Sequence, residues 1–119
     1  MENYSLGEIE RRFADIIWQH EPLSSRELTV LAERELSWKK STTYTILRRL
    51  CDRGLFQNRS GVVTSLIKKD EWAARQSEQF VEENFHGSLP AFLAAFTSTG
   101  KLSGRDVEEL QKIIDSMKE

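Results

Sequence analysis

One cysteine, two histidines and no apolar run of membrane length narrow the roles open to this chain. Cys51, being alone, can form no internal disulfide and completes no thiolate metal site. What remains for it is a small packing role on the flank of a helix, or redox sensing. His20 and His86 have no ligand-like spacing to Cys51 or to carboxylates, which argues against a metal centre. There is no glycine-rich phosphate loop, nucleophile elbow or zinc-protease motif. No catalytic residue, metal ligand or cofactor is therefore assigned, and the chain reads as a non-enzyme. Without a membrane-length run or a signal-peptide pattern it reads as cytoplasmic, with no membrane insertion. At 39% apolar and 30% charged residues it is an ordinary folded chain, one domain or a small domain with an arm.

Acidic residues are also scarce in one place. The net charge of −2 hides three blocks. Residues 1–36 carry four basic and eight acidic side chains, and residues 70–119 five basic and ten acidic. Between them, residues 37–69 set eight basic side chains against Asp52 alone, a net +7. One positive surface on an otherwise acidic chain suits attraction of phosphates with repulsion elsewhere.

That block contains the stretch Trp38 to Gly54. Thr43, Ile46, Leu47 and Leu50 recur at helical spacing and form an apolar face. Ser41, Thr45, Arg48 and Asp52 lie opposite, flanked by Thr42, Tyr44 and Arg49. Gly54 suits the left-handed position that ends the helix, and Arg49 and Arg53 suit its negative end. Hydroxyls, a phenol and arginines on the outer face fit a nucleic-acid groove, while a plain solvated helix is the alternative.

Before it, Met1–Leu6 reads as a loose lead-in. Gly7 can cap a helix to about Gln19, with Glu8 and Glu10 complementing its dipole. Ile9, Phe13, Ile16 and Ile17 are its expected buried stripe, and Trp18 falls outside that stripe. Pro22 breaks the helix. Ser24 to Glu27 reads as a capping box for a second helix to about Glu35, burying Leu28, Leu31 and Ala32. Two helices and a short turn into a third form a helix-turn-helix pattern, whose last helix enters the major groove.

Past Gly54 the period changes. Leu55–Arg59 and Val62–Ile67, joined by Ser60-Gly61, read as a β-hairpin. A hairpin in this place is the wing of a winged-helix domain. Its tip places Arg59 near a phosphate or the minor groove, or leaves it an ordinary turn residue. The domain is assigned to residues 1–69. Residues 70–119 follow as a helical arm: Asp70 as N-cap of a helix from Glu71 to about Phe85, Ser88 capping an apolar helix to Phe96, a loop over Thr97–Leu102, and Ser103 capping a last helix. Phe80, Val81, Phe85, Leu89, Phe92, Leu93 and Phe96 are more apolar surface than the arm can cover. Val107, Leu110, Ile113, Ile114 and Met117 add a continuous stripe. A second copy of the chain would bury these side chains in a two-fold dimer. Folding back on the N-terminal domain is the alternative.

Taken together, several segments resemble the penicillinase-repressor (BlaI/MecI/CopY) family. They are Leu6 to Glu10 leading to Ile16-Ile17-Trp18, Pro22 to Leu28, Ser41 to Leu50 with Asp52 to Leu55, Gly87-Ser88-Leu89, and Leu102-Ser103 with Glu108-Glu109-Leu110. The likeness runs in register from about Leu6 to Met117. It implies a winged-helix repressor that binds double-stranded operator DNA as a homodimer joined through C-terminal helices. In β-lactam-responsive members a membrane-bound sensor metalloprotease system triggers cleavage in the arm, between Asn and Phe. Here Ala95 precedes Phe96. Copper-responsive members carry a cysteine-containing tail, which Ser116–Glu119 lacks. Many members place a basic residue in the recognition helix where this chain has Ser41 and Tyr44.

The fold expected is mainly α with a small β-hairpin wing: a winged helix-turn-helix domain plus a helical dimerisation arm. Ser41, Thr42, Tyr44, Thr45 and Arg48 are assigned to base edges or adjacent phosphates. Lys39, Lys40 and Arg59 are assigned to sequence-independent phosphate attraction. A winged-helix module that binds protein instead is the alternative, and it would not need the positive block.

Overall fold

Helix α1 (Glu8–His20), strand β1 (Leu23–Ser24), helices α2 (Ser25–Leu36) and α3 (Lys40–Asp52), strands β2 (Phe56–Arg59) and β3 (Val62–Ser65), and helices α4 (Lys69–Phe85), α5 (Leu89–Thr97) and α6 (Gly104–Ser116) follow in order. This is the computed structural model of the chain, and it describes residues 4–118. The fold is mainly helical with a small antiparallel sheet, as the hydrophobic patterning implies. The chain divides into two compact units, Met1–Ser77 and Glu78–Glu119, and the division falls inside α4.

Local chemistry explains most element ends in the first unit. Gly7 is the extended N-cap of α1, and its amide donates to Glu10 Oε1 at 3.1 Å. Ser24 caps α2: its Oγ accepts the Glu27 amide at 3.0 Å and donates to Glu27 Oε1 at 3.2 Å. After α3, Gly54 takes φ +86°, the left-handed conformation that a side chain would resist. Ser60 and Gly61 take φ +52° and +83°, the pair of positive values that a type I′ turn needs to match strand twist.

The sheet has the order β1-β3-β2, antiparallel throughout. β1 is a strand that local patterning does not announce. Its two residues, Leu23 and Ser24, lie opposite Val63 and Val62 of the hairpin. The Ser25 amide, one of the donors α2 leaves free at its start, donates to the Gly61 carbonyl at 2.8 Å. The hairpin is thus stitched to the start of α2.

Phe13, Ile17, Leu28, Leu50, Leu55, Phe56 and Val63 are fully buried and tie α1, α2, α3 and the sheet into one core. Several sequence expectations need correction. Ile9 is 48% exposed, because α1 meets the core only from Phe13 onward, where Ala14 completes the buried face. Leu31 and Ile46 are half-buried at the core's edge, and Thr29 lies inside with its hydroxyl satisfied by the Arg26 carbonyl at 2.6 Å. Of the lead-in expected over Met1–Leu6, residues 1–3 lie outside the described residues, while Tyr4 and Leu6 pack against the core. Trp18 finds the partners its off-stripe position requires. Its ring lies 5.6 Å from both Phe56 and Trp72, and Nε1 donates to the Ile67 carbonyl at 3.0 Å.

Asp70 is not the cap of α4, because Lys69 is already helical and Asp70 sits in the first turn, where its charge still suits the dipole. The helix thus starts two residues before the expected Glu71, and Lys69 Nζ meets Asp15 Oδ1 of α1 at 2.8 Å.

In the second unit, Ser88 Oγ accepts the Ala91 amide at 3.1 Å and Ser103 Oγ the Asp106 amide at 3.0 Å, so both serines cap as expected. Thr97 belongs to α5 rather than to the following loop, its hydroxyl donating to the Leu93 carbonyl at 2.8 Å. Phe80, Phe85, Phe92 and Phe96 form a chain of ring contacts with centroids 5.6–6.2 Å apart. Among the described residues no helix is long and apolar enough to cross a membrane.

Candidate nucleic-acid interface

The inner face of α3 fixes what its outer face presents. Thr43, Leu47 and Leu50 are buried, and the Thr43 hydroxyl, which would be costly to bury unpaired, donates to the Lys39 carbonyl at 3.3 Å. With that face seated, Lys39 (the N-cap), Lys40, Ser41, Thr42, Tyr44, Thr45 and Arg48 are all exposed. The structure therefore brings together on one helix every residue assigned to it from sequence. Thr45 Oγ1 donates back to the Ser41 carbonyl at 2.9 Å, which leaves its lone pairs outward as acceptors. The Tyr44 hydroxyl donates to Ser25 Oγ at 3.4 Å.

Arg59 is exposed at the end of β2, opposite Val62. By strand alternation it points to the other face of the hairpin from Phe56 and Asn58. Asn58, not Arg59, shares a groove with α3. The groove is lined by Tyr44, Thr45, Leu47, Arg48 and Cys51 on one side and Asn58 on the other. Asn58 is the residue that sequence reasoning passed over. Its signal was available: it stands two residues from Phe56, an obvious inward position, and so must face the helix. Asn carries both a donor and an acceptor, the pair that matches an adenine edge.

Cys51 is half-buried in this groove, and burial, with the neighbouring Asp52 carboxylate, pushes its thiol above the usual range. A raised thiol is a poor nucleophile, which favours the packing role over redox sensing.

The positive block is not spent evenly. Arg53 Nη1 meets Glu10 Oε2 at 3.1 Å, Lys68 Nζ meets Glu21 Oε1 at 3.1 Å, and Lys69 pairs with Asp15. These three of its eight cations neutralise acids of the N-terminal block and hold the fold. Lys39, Lys40, Arg48, Arg49 and Arg59 are exposed, and among the described residues none has a carboxylate at ion-pair distance. They are the cations that face solvent from α3 and the hairpin.

No residue of α5 or α6 is buried within the one chain. Of the side chains assigned to a dimer interface, Val81, Phe85, Phe92, Leu93 and Leu110 are half-buried. Phe80, Leu89, Phe96, Val107, Ile113, Ile114 and Met117 are exposed, Met117 to 76%. Among the described residues no cluster of His, Cys, Asp or Glu is arranged to hold a metal ion.

A three-helix core with a three-stranded sheet whose β2–β3 hairpin stands beside the third helix is a winged helix. The family model "Penicillinase repressor" matches residues 6–116. The chain belongs to the penicillinase repressor family, whose members are non-enzymatic, DNA-binding transcriptional regulators. The chain is 24% identical to the penicillinase repressor of Bacillus licheniformis over 117 residues, covering 95% of this chain and 91% of that protein. It is 22% identical to the methicillin resistance regulatory protein MecI of Staphylococcus aureus over 116 residues, covering 94% of each. Among solved structures, the DNA-binding domain of the repressor BlaI superposes with a TM-score of 0.53 at 22% identity, covering 60% of this chain and 93% of that one. This last likeness bears on the fold. The repressor family members align along nearly the whole chain, arm included.

Proposed function

We propose that this chain is a sequence-specific transcriptional repressor that binds a palindromic operator as a homodimer, with DNA reading in residues 1–69 and dimerisation in residues 70–119. The observation that carries the reading is the outer face of α3. A fully seated helix presents Ser41, Thr42, Tyr44, Thr45 and Arg48 together, beside cations that have no carboxylate at ion-pair distance among the described residues. Ser41, Thr42, Thr45 and Arg48 reach base edges, an arginine reading guanine best. Tyr44 serves a base edge or the adjacent phosphate. Lys39, Lys40 and Arg59 hold the backbone. The arm supports dimerisation because Phe80, Leu89, Phe96, Val107, Ile113, Ile114 and Met117 remain exposed in the single chain.

Repression is relieved by an unidentified signal, proteolysis of the arm being one route. A membrane sensor metalloprotease system is the partner that kinship suggests, with the Ala95–Phe96 region as the place to look for cleavage. The localisation consistent with this role is cytoplasmic.

The test is to select binding sites from random duplexes with the purified chain. An inverted repeat should emerge, and Arg48→Ala or Tyr44→Ala should change the preferred sequence. Equal losses on selected and random DNA for both variants would remove base reading from α3.

A further inference from the structure

Asn58 brings an unspent carboxamide to the groove beside α3. It is exposed on β2, on the hairpin face that carries the buried Phe56, and its cross-strand partner is the fully buried Val63. A valine side chain offers no hydrogen bond, and among the described residues no partner reaches the Asn58 amide. The neighbouring Gln57 behaves differently: it faces the other side of the hairpin and spends its carboxamide on Thr64 Oγ1 at 3.0 Å. Asparagine is among the residues that strands disfavour, because it packs little and its amide competes for backbone hydrogen bonds. Nothing in the fold accounts for its place in a strand of four residues.

The groove supplies the setting. Leu47, 2% exposed, and the neutral thiol of Cys51 give it an apolar lining. Thr45 and Arg48 stand exposed on the helix side, and among the described residues no hydrogen bond crosses from Arg48 to Asn58. An uncharged amide adds nothing to phosphate attraction, which is the work of cations. What it adds is a donor and an acceptor on one planar group, the match for adenine N7 and N6 in the major groove, as a guanidinium is for guanine. We propose that Asn58 is a specificity-determining residue: its carboxamide reads an adenine edge of the operator from the hairpin side of the groove, close to the base pair that Arg48 reads from the helix side. The inference rests on the base-reading repressor function above, and it makes the hairpin a second reader of sequence.

The experiment uses the full chain and the operator selected from random duplexes, with each base pair changed in turn. Asn58→Ala should lose about tenfold or more on that operator, the value of one bidentate base contact. The loss should map to one A·T pair per half-site, where the variant no longer prefers adenine, while Arg48→Ala relaxes a different position. Affinity for random duplex should stay within about twofold, since no phosphate contact is removed. Asn58→Val, which a strand favours, should behave like Asn58→Ala and so separate base reading from a fault in the hairpin. A further arm places 7-deazaadenine, which lacks the N7 acceptor, at the mapped position. Wild type should lose about threefold there, one hydrogen bond's share, and Asn58→Ala should lose nothing more. Unchanged operator affinity in Asn58→Ala would overturn the proposal. So would equal loss on operator and random duplex, or a wild type indifferent to 7-deazaadenine at the mapped position. In each of those cases an altered preference in Arg48→Ala would leave the repressor function standing. A wild type with no sequence preference at all would overturn that function, and this inference with it.

Discussion

The Tyr44 hydroxyl and Ser25 Oγ lie 3.4 Å apart, and through Ser25 the outer face of α3 is joined to the hairpin, because the Ser25 amide donates to the Gly61 carbonyl at 2.8 Å. Three segments that would meet one stretch of DNA thus share a residue that sits in none of the sequence-assigned positions. If the phenol is oriented by that contact, Tyr44→Phe and Ser25→Ala should each weaken operator binding by about threefold, the value of one modest hydrogen bond. The double variant should lose little more than either single one, a coupling of about 0.5–1 kcal/mol. Strictly additive losses in a fluorescence titration would mean the two hydroxyls act independently.

Lys40 begins α3, exposed and free of acidic neighbours at pairing distance among the described residues. A lone ammonium there attracts a phosphate by charge and carries no base code. Lys40→Ala should weaken binding by a similar factor on operator and on random duplex. It should also reduce the slope of log K against log salt by about 0.9, one counterion's share. A loss confined to the selected operator would show that Lys40 reads sequence.

What could be read from sequence was the chemistry that acts over a few residues. Ser24, Ser88 and Ser103 announced three helix starts, Gly54 a helix end, and Ser60-Gly61 a hairpin turn, because in each the deciding contact lies within four residues. The outer face of α3 was legible for the same reason, since period alone sorts Thr43 and Leu47 inward and Ser41, Thr45 and Arg48 outward. What escaped depends on distant partners. β1 is two residues long and exists only because Val62 and Val63, far along the chain, pair with it. Tyr4 looked like a loose lead-in because Trp72 and Gln76, which hold its carbonyl, lie on the other side of the domain's sequence. Charge counting likewise treated Arg53, Lys68 and Lys69 as surface, although their acids had already been counted in another block.

Glu21, just after α1, is the acid most deeply committed to such a distant contact. Its carboxylate accepts the Ser65 amide at 2.9 Å, the Ser65 hydroxyl at 2.8 Å and Lys68 Nζ at 3.1 Å, fastening the end of β3. Burial alone would raise its pKa, but those donors and the lysine charge outweigh it and hold the carboxyl below its ordinary 4.5. A folded-state pKa below the unfolded one stabilises the fold above about pH 4.5, and that contribution is lost as pH falls through the folded value. Glu21→Gln should cost about 1–2 kcal/mol at pH 7, because a neutral amide accepts these bonds more weakly. Urea unfolding at a series of pH values should show the gap between wild type and variant closing as pH drops below 4. A gap constant from pH 7 to pH 3 would mean the charge on Glu21 contributes nothing to the fold.

The apolar stripe of α6 gives the sharpest test of the arm. Ile113 and Ile114 are 52% and 49% exposed in the single chain, so a charge placed there meets water and should alter folding stability by no more than about 0.5 kcal/mol. Against a second copy the same charge would be buried without a partner, which costs far more than the methyl groups it replaces contribute. Ile114→Glu should therefore leave the helical circular dichroism signal intact while sedimentation equilibrium shifts from dimer to monomer at micromolar concentration. Operator affinity should then fall to that of a single half-site, because linkage between the two reading heads is lost. An Ile114→Glu chain that still sediments as a dimer would place the contact between copies elsewhere on the arm, with the phenylalanine row of α4 and α5 the next face to alter.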